Sequence, residues 1–140
     1  MKEDYIEFNH KNYMVIKDDQ INIKLIPKIY EKKQFVTVKI IYHGEKLDNK
    51  RISISEYQQI KELISLIKNE DLEMPRIINK GKPNEYVAAI LDGANNSIVI
   101  SENKTKKEFG IIGFSEEYHK TFYNAVKKIF ESIKFDLENL

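Results

Sequence analysis

The sequence predicts an α+β protein, with an antiparallel sheet of about seven to eight strands and two amphipathic helices in the order strands, helix, strands, helix. Three observations support this prediction. Short alternating or apolar runs typical of strands, separated by turn-forming residues, make up residues 5–54 and again residues 86–114. Each of these parts leads into a stretch with helical spacing that follows a serine. The length of 140 residues fits one domain, which we expect to span residues 1–140.

The first part begins with a predicted hairpin. Residues 5–8 and 13–17 have strand patterns, and the polar residues 9–12 between them have turn chemistry. Another strand starts at Ile21. Pro27 interrupts its pattern and places it at a sheet edge or a bulge, because proline cannot donate a ladder hydrogen bond.

A central strand is predicted next. Residues 35–42 have the strongest strand pattern of the chain, with Val36, Val38, Ile40 and Tyr42 on one face, and residues 51–54 form a shorter strand. The first helix should run from about Glu56 to about Asn69. Its N-cap is predicted at Ser55, with Gln58 completing a capping box.

The second part repeats this plan. Residues 86–91 form an apolar run whose two alanines leave a helix open, but the turn-forming residues 92–96 favour a hairpin with residues 97–101 as its second strand. A polar turn at 104–107 precedes a strand over 108–114. Ser115 is predicted to cap the second helix. The apolar stripe of this helix consists of Tyr118, Phe122, Ala125, Val126, Ile129, Phe130 and Ile133.

Composition disfavours several partners. The 23 Lys and Arg residues against 22 Asp and Glu give a net charge of +1, which disfavours nucleic acid and anionic membranes. The absence of cysteine excludes disulfides and thiolate metal sites. Neither a signal peptide nor an apolar stretch of membrane-spanning length is seen in the sequence, so we expect a cytoplasmic protein unless an export signal has been removed.

No catalytic or cofactor motif is recognisable. The histidines are predicted in a turn (His10), at a strand end (His43) and on the polar flank of the second helix (His119), and none has metal-ligand spacing. We therefore predict no cofactor and no metal site, and expect the protein not to be an enzyme. The alternative is an enzyme whose site is assembled from dispersed residues, for which the candidates are Tyr42, His43, Glu116 and His119.

The segment 70–84 is the feature that core formation explains least. It is acidic at its start and basic afterwards, and irregular segments of this length are either connectors or binding loops. Both interpretations stay open. If the segment binds a partner, the contact residues are Glu70, Asp71, Glu73, Arg76, Lys80 and Lys82.

The leading functional hypothesis is a non-catalytic module that binds another protein. A small α+β domain without cysteine and with balanced charge resembles bacterial or phage immunity and inhibitor proteins in general outline, a resemblance of architecture that rests on no motif. A second hypothesis is a small-ligand or lipid carrier with a cavity between the sheet and the second helix.

Overall fold

The computed structural model describes residues 4–12, 20–72, 94–112, 117 and 119–135. Within them the predicted fold class is confirmed, because seven strands form one antiparallel sheet and the helices follow the strands in the expected order. The strands are β1 (Tyr5–Asn12), β2 (Gln20–Tyr30), β3 (Lys33–Tyr42), β4 (Glu45–Lys46), β5 (Lys50–Ile52), β6 (Ala94–Glu102) and β7 (Thr105–Ile112). The helices are α1 (Ile54–Ser65) and α2 (Lys120–Ile133), and a 3-10 helix covers Asn69–Asp71.

The sheet has the strand order β4-β3-β2-β1-β6-β7, and β5 pairs with β3 nearer the start of that strand than β4 does. β1 therefore lies between β2 and β6, and Ile6 pairs with Leu25 on one side and with Ile100 on the other. This register places alternate residues of all the long strands on one face, where the core forms.

Both helices pack against that inner face and against each other. The prediction for β3 is correct, since Val36, Val38 and Ile40 are fully buried. The predicted stripe of the second helix is also correct for its described members, and the ring of Phe130 meets that of Phe8 edge to face at 5.5 Å. The buried residues of α2 are Phe122, Ala125, Val126, Ile129, Phe130 and Ile133.

The predicted turn at residues 9–12 is wrong, because β1 continues through them. Asn9 pairs with Asn22 of β2 and with Ser97 of β6, so β1 has a paired strand on both sides at this position. The side-chain amide of Asn22 also donates to the side-chain oxygen of Asn9 on the outer face of the sheet. Two-sided pairing overrides the local turn preference. The predicted strand at residues 13–17 lies outside the described residues.

α1 begins two residues earlier than predicted. Its N-cap is Ser53, whose hydroxyl accepts from the backbone N–H of Glu56 at 3.0 Å, while the Glu56 carboxylate accepts from the backbone N–H of Ser53 at 3.2 Å. Ser53 and Glu56 thus form the capping box that was expected at Ser55 and Gln58. The helix ends at Ser65, before the predicted Asn69, and the 3-10 helix follows.

α2 begins later than predicted. Its N-cap is His119, so the cap expected at Ser115 is wrong. Glu117 lies in a turn before the helix, and Ser115 and Glu116 are outside the described residues. An acceptor from elsewhere in the chain, described below, satisfies a backbone N–H in the first turn of α2.

β6 extends into the predicted turn at residues 92–96. Asn95 and Asn96 pair with Lys11 and His10, which makes the turn assignment wrong for residues 94–96. The next turn is shorter than expected and consists of Asn103 and Lys104. The predicted strand at residues 86–91 and the pair Asp92-Gly93 lie outside the described part of the chain.

Candidate partner-binding surface

β2 and β3 continue past their neighbours as a two-stranded arm. The described pairing of β2 with β1 ends at Ile6 and Leu25, and that of β3 with β5 ends at Val36 and Ile52. Residues 28–30 and 33–35 therefore pair only with each other among the described residues. At about 3.3 Å per residue, this arm projects about 13 Å beyond β1. Pro27 lies where β2 has become an edge, which is one of the two predicted settings for this proline.

The tip of the arm exposes two large apolar side chains. Ile29 is 74% exposed and Tyr30 is 67% exposed, and as consecutive strand residues they lie on opposite faces of the arm. The connecting residues Glu31 and Lys32 have positive φ angles of 49° and 68°. A hairpin turn with two positive φ angles favours Asn-Gly, so the residues present here are not those that best stabilise the turn.

The arm shares one end of the molecule with the β6–β7 turn, because β2 and β6 both run past the start of β1. This end is basic. Asp4 lies between the two hairpins and accepts from the backbone N–H of Asn103 at 3.2 Å. The six lysines of residues 27–34 and 102–107 outnumber the acidic residues Glu31, Glu102 and Asp4, although the whole chain has a net charge of only +1. Positive charge is therefore concentrated where the apolar tip is exposed.

A groove of about 580 Å³ opens between α1 and the β6–β7 hairpin. Its apolar lining includes Ile64, Ile100 and Phe109. The ammonium group of Lys61 on α1 lies 3.0 Å from a carboxylate oxygen of Glu102 on β6, so an ion pair joins the two elements that line the groove. The groove faces the same end of the sheet as the arm.

The structure describes only two of the six predicted contact residues, Glu70 and Asp71. Glu73, Arg76, Lys80 and Lys82 lie outside the described residues, and Glu70 is exposed in the 3-10 helix. Asp71 instead binds within the chain. One of its carboxylate oxygens accepts from the backbone N–H of Thr121 at 3.1 Å and also from the Thr121 hydroxyl, in the first turn of α2.

The environment of Asp71 favours its charged form. The Thr121 hydroxyl contributes most to lowering the pKa of this carboxyl below its usual value, and the Thr121 backbone N–H and the nearby Lys68 and His119 lower it further. The hydroxyl oxygen of Thr121 in turn accepts from the backbone N–H of Lys68 at 3.0 Å. These bonds attach the segment after α1 to the start of α2.

Two histidines are buried where the sequence predicted exposed positions. His10 lies in β1 and its Nδ1 is 2.7 Å from the side-chain oxygen of Asn96 on the neighbouring β6. His119 is only 1% exposed at the start of α2, so its assignment to a polar helix flank is wrong. His43 does lie in the turn after β3, where its ring stacks on that of Tyr42 at 4.0 Å.

The described candidates for a dispersed active site lie at opposite ends of α2. Tyr42 contacts Phe135 just after the helix, and His119 precedes it. Fourteen residues of α2 separate these ends by about 20 Å. Glu116 is outside the described residues, and in the part described no three His, Asp or Glu side chains come together as a metal site. Neither α1 nor α2 is long and apolar enough to cross a membrane.

The space between α2 and the sheet, where the carrier hypothesis places a cavity, is occupied by packed side chains. Phe122, Val126 and Phe130 are buried there. The groove between α1 and the β6–β7 hairpin lies outside this space.

No protein-family model matches this chain, and no curated protein matches its sequence significantly. Sequence reasoning did not identify Ile29 and Tyr30 as surface residues. Their position between Lys28 and Glu31-Lys32-Lys33 was the available signal, because a lysine-rich connection marks a solvated hairpin end.

Proposed function

We propose that this protein is a non-catalytic module that binds an acidic surface of another protein through the β2–β3 arm. The observation that carries the proposal is the exposure of Ile29 and Tyr30 at the tip of a projecting arm. Tyrosine and large aliphatic side chains that leave water on binding contribute much of the affinity of protein interfaces.

The charge distribution specifies the kind of partner. Lys28, Lys32 and Lys33 surround the apolar tip, and Lys104 and Lys106 lie on the neighbouring hairpin. Cations around an apolar contact accelerate association with a negatively charged surface and select against a positive one. We therefore expect an apolar depression with an acidic rim on the partner.

Within this proposal the functional class is an immunity or inhibitor protein, which acts by occupying a surface of its target. An arm about 13 Å long can enter a cleft of another protein. The segment with Glu70, Glu73, Arg76, Lys80 and Lys82 remains a proposed second contact region. Asp71 is better left unchanged in tests of that region, because its carboxylate binds Thr121.

The experiment begins with a photo-cross-linking amino acid at position 30, in the cell that encodes the protein. The matched control carries the same amino acid at position 41, because Ile41 is 43% exposed on β3 but lies away from the arm. We expect a protein adduct from position 30 alone. Adducts with nucleic acid or lipid, or equal yields from both positions, would contradict the proposal.

Calorimetry with the purified partner then tests the residues themselves. The variant Ile29→Ser/Tyr30→Ser should bind about 30-fold more weakly, and Ile41→Ser should bind like the wild type. The double variant should keep its fold, because both side chains are exposed. Unchanged affinity of the double variant would overturn the assignment of the arm.

A further inference from the structure

We propose that the groove between α1 and the β6–β7 hairpin binds a small amphipathic carboxylate. Its volume of about 580 Å³ lies within the range of small-molecule sites, about 300–1,000 Å³. The inference is independent of the proposed protein partner, since the groove and the arm are built from different strands.

The floor of the groove suits an apolar ligand body. Its four apolar residues come from α1, β6 and β7 and from the residues just after α1, so the ligand would contact apolar side chains on several sides. These residues are Ile64, Ile67, Ile100 and Phe109. All four are partly or fully buried and pack on or within the core, which fixes their positions.

The charges at the rim favour an anionic head group. Glu102 is paired with Lys61 at 3.0 Å, so the negative charge of the rim is already balanced. Lys107 adds a positive charge. It pairs with Ile100 across the hairpin, and therefore lies on the inner face with the groove rather than on the outer face of the sheet. A carboxylate beside Lys107 would form a charge-assisted hydrogen bond.

Lys107 also has a possible role without any ligand. A charged residue that points inward from an edge strand hinders pairing with another sheet. That role does not need the apolar groove beside the lysine. It also does not predict that the protein binds an anionic ligand more tightly than a neutral one. The two explanations can therefore be separated by binding measurements.

The chain contains a matched control for this test. Lys106 and Lys107 are consecutive residues of β7, but Lys106 pairs with Ser101 and lies on the outer face. Replacing either lysine by methionine removes the same charge and keeps a similar length. The two variants have the same total charge, so a difference in their ligand affinity arises from the position of the lysine that was replaced.

The experiment is an NMR titration of the full chain with decanoate below its micelle concentration, with decanol as the neutral probe. We expect saturable shifts at Ile64, Ile100 and Phe109 with decanoate. Lys107→Met should weaken decanoate binding about fivefold and leave decanol binding unchanged, while Lys106→Met should match the wild type.

Three results would overturn the proposal. The first is the absence of saturable decanoate shifts in the groove of the wild type. The second is equal weakening by Lys106→Met and Lys107→Met, which would indicate a general charge effect. The third is equal affinity for decanoate and decanol in the wild type. A resonance spectrum that keeps its native dispersion shows in each case that the variant is folded.

Discussion

The carboxylate of Asp71 and the backbone N–H of Thr121 form a 3.1 Å hydrogen bond that satisfies a donor in the first turn of α2. The other end of this helix is held similarly, because the ammonium group of Lys50 donates to the carbonyl oxygen of Ile133 at 2.8 Å. The two charges suit the helix dipole, with an anion at the N-terminus and a cation at the C-terminus. α2 is thus attached at both ends to residues that precede β6 in the chain.

Removing the Asp71 carboxylate should destabilise the protein. Asp71→Ala leaves the N–H of Thr121 without this acceptor, and the loss of a helix-capping side chain costs about 1 kcal/mol. The measurement is urea unfolding followed by circular dichroism. The control is Glu70→Ala, because Glu70 is next to Asp71 in the chain and is exposed. This variant should change the free energy of unfolding by less than about 0.5 kcal/mol. Equal effects of both variants would refute the capping role.

The contribution of Asp71 should disappear in acid. Its folded pKa is lowered below the ordinary 3.8, mainly by the hydroxyl of Thr121, so the folded state favours the charged carboxylate. The stabilisation is therefore present above the unfolded pKa and is lost as the pH falls through the folded pKa. The difference in unfolding free energy between wild type and Asp71→Ala should be constant from about pH 5 to 8 and should shrink below about pH 3.5. A difference that stays constant in acid would contradict this assignment.

The turn of the arm should be improvable. Glu31 and Lys32 both have positive φ angles, a conformation that Asn and Gly adopt more easily than other residues. Glu31→Asn/Lys32→Gly should therefore raise the free energy of unfolding by about 1 kcal/mol, as measured in urea. The β6–β7 turn offers a comparison, because Asn103 and Lys104 have φ angles of 52° and 67° and the first residue is already asparagine. Lys104→Gly alone should stabilise less. A destabilised double variant would show that the tip side chains support the turn.

The pair His10 and Asn96 should behave as one unit in the core. Their 2.7 Å contact joins neighbouring strands on the buried face, so removing one partner leaves a buried polar group without that bond. His10→Leu and Asn96→Leu should each destabilise by about 1–3 kcal/mol. The double variant should lose less than the sum of the two, with a coupling of about 1 kcal/mol in a double-mutant cycle. Additive losses would show that the two side chains do not stabilise each other.

The sequence was sufficient for the features that depend on local periodicity. Val36, Val38 and Ile40 alternate, and Phe122, Val126 and Ile129 have helical spacing, so the faces of β3 and α2 were predicted correctly. Serine positions were less reliable as helix starts. Ser55 and Ser53 are both suitable caps, and only the backbone geometry at Ser53, with Glu56 at the third helical position, distinguishes them.

Features that depend on strand pairing could not be predicted. His10 looked like a turn residue until β2 and β6 paired on either side of it, and Asn96 became its partner across 86 positions of sequence. The lysine-rich connection after Ile29 and Tyr30 indicates a solvated hairpin end, but not that β2 extends farther than β1, which exposes these two side chains. Strand register is a long-range property, so a single sequence contains little information about it.

The stability of the protein should fall in alkali because of Tyr57. This side chain is only 4% exposed on α1, and burial, followed by the nearby carboxylates of Asp4 and Glu102, raises the pKa of its hydroxyl above the ordinary 10.0. The unfolded chain then releases this proton at a lower pH than the folded protein does. The stabilisation is complete below about pH 10 and decreases above it by up to about 1.4 kcal/mol per pH unit.

In Tyr57→Phe this decrease should be absent, so urea midpoints from pH 8 to 11 should fall less steeply than in the wild type. The control is Tyr30→Phe, which removes an exposed hydroxyl from the arm. Equal slopes for wild type and Tyr57→Phe would refute the role of Tyr57 in alkaline unfolding.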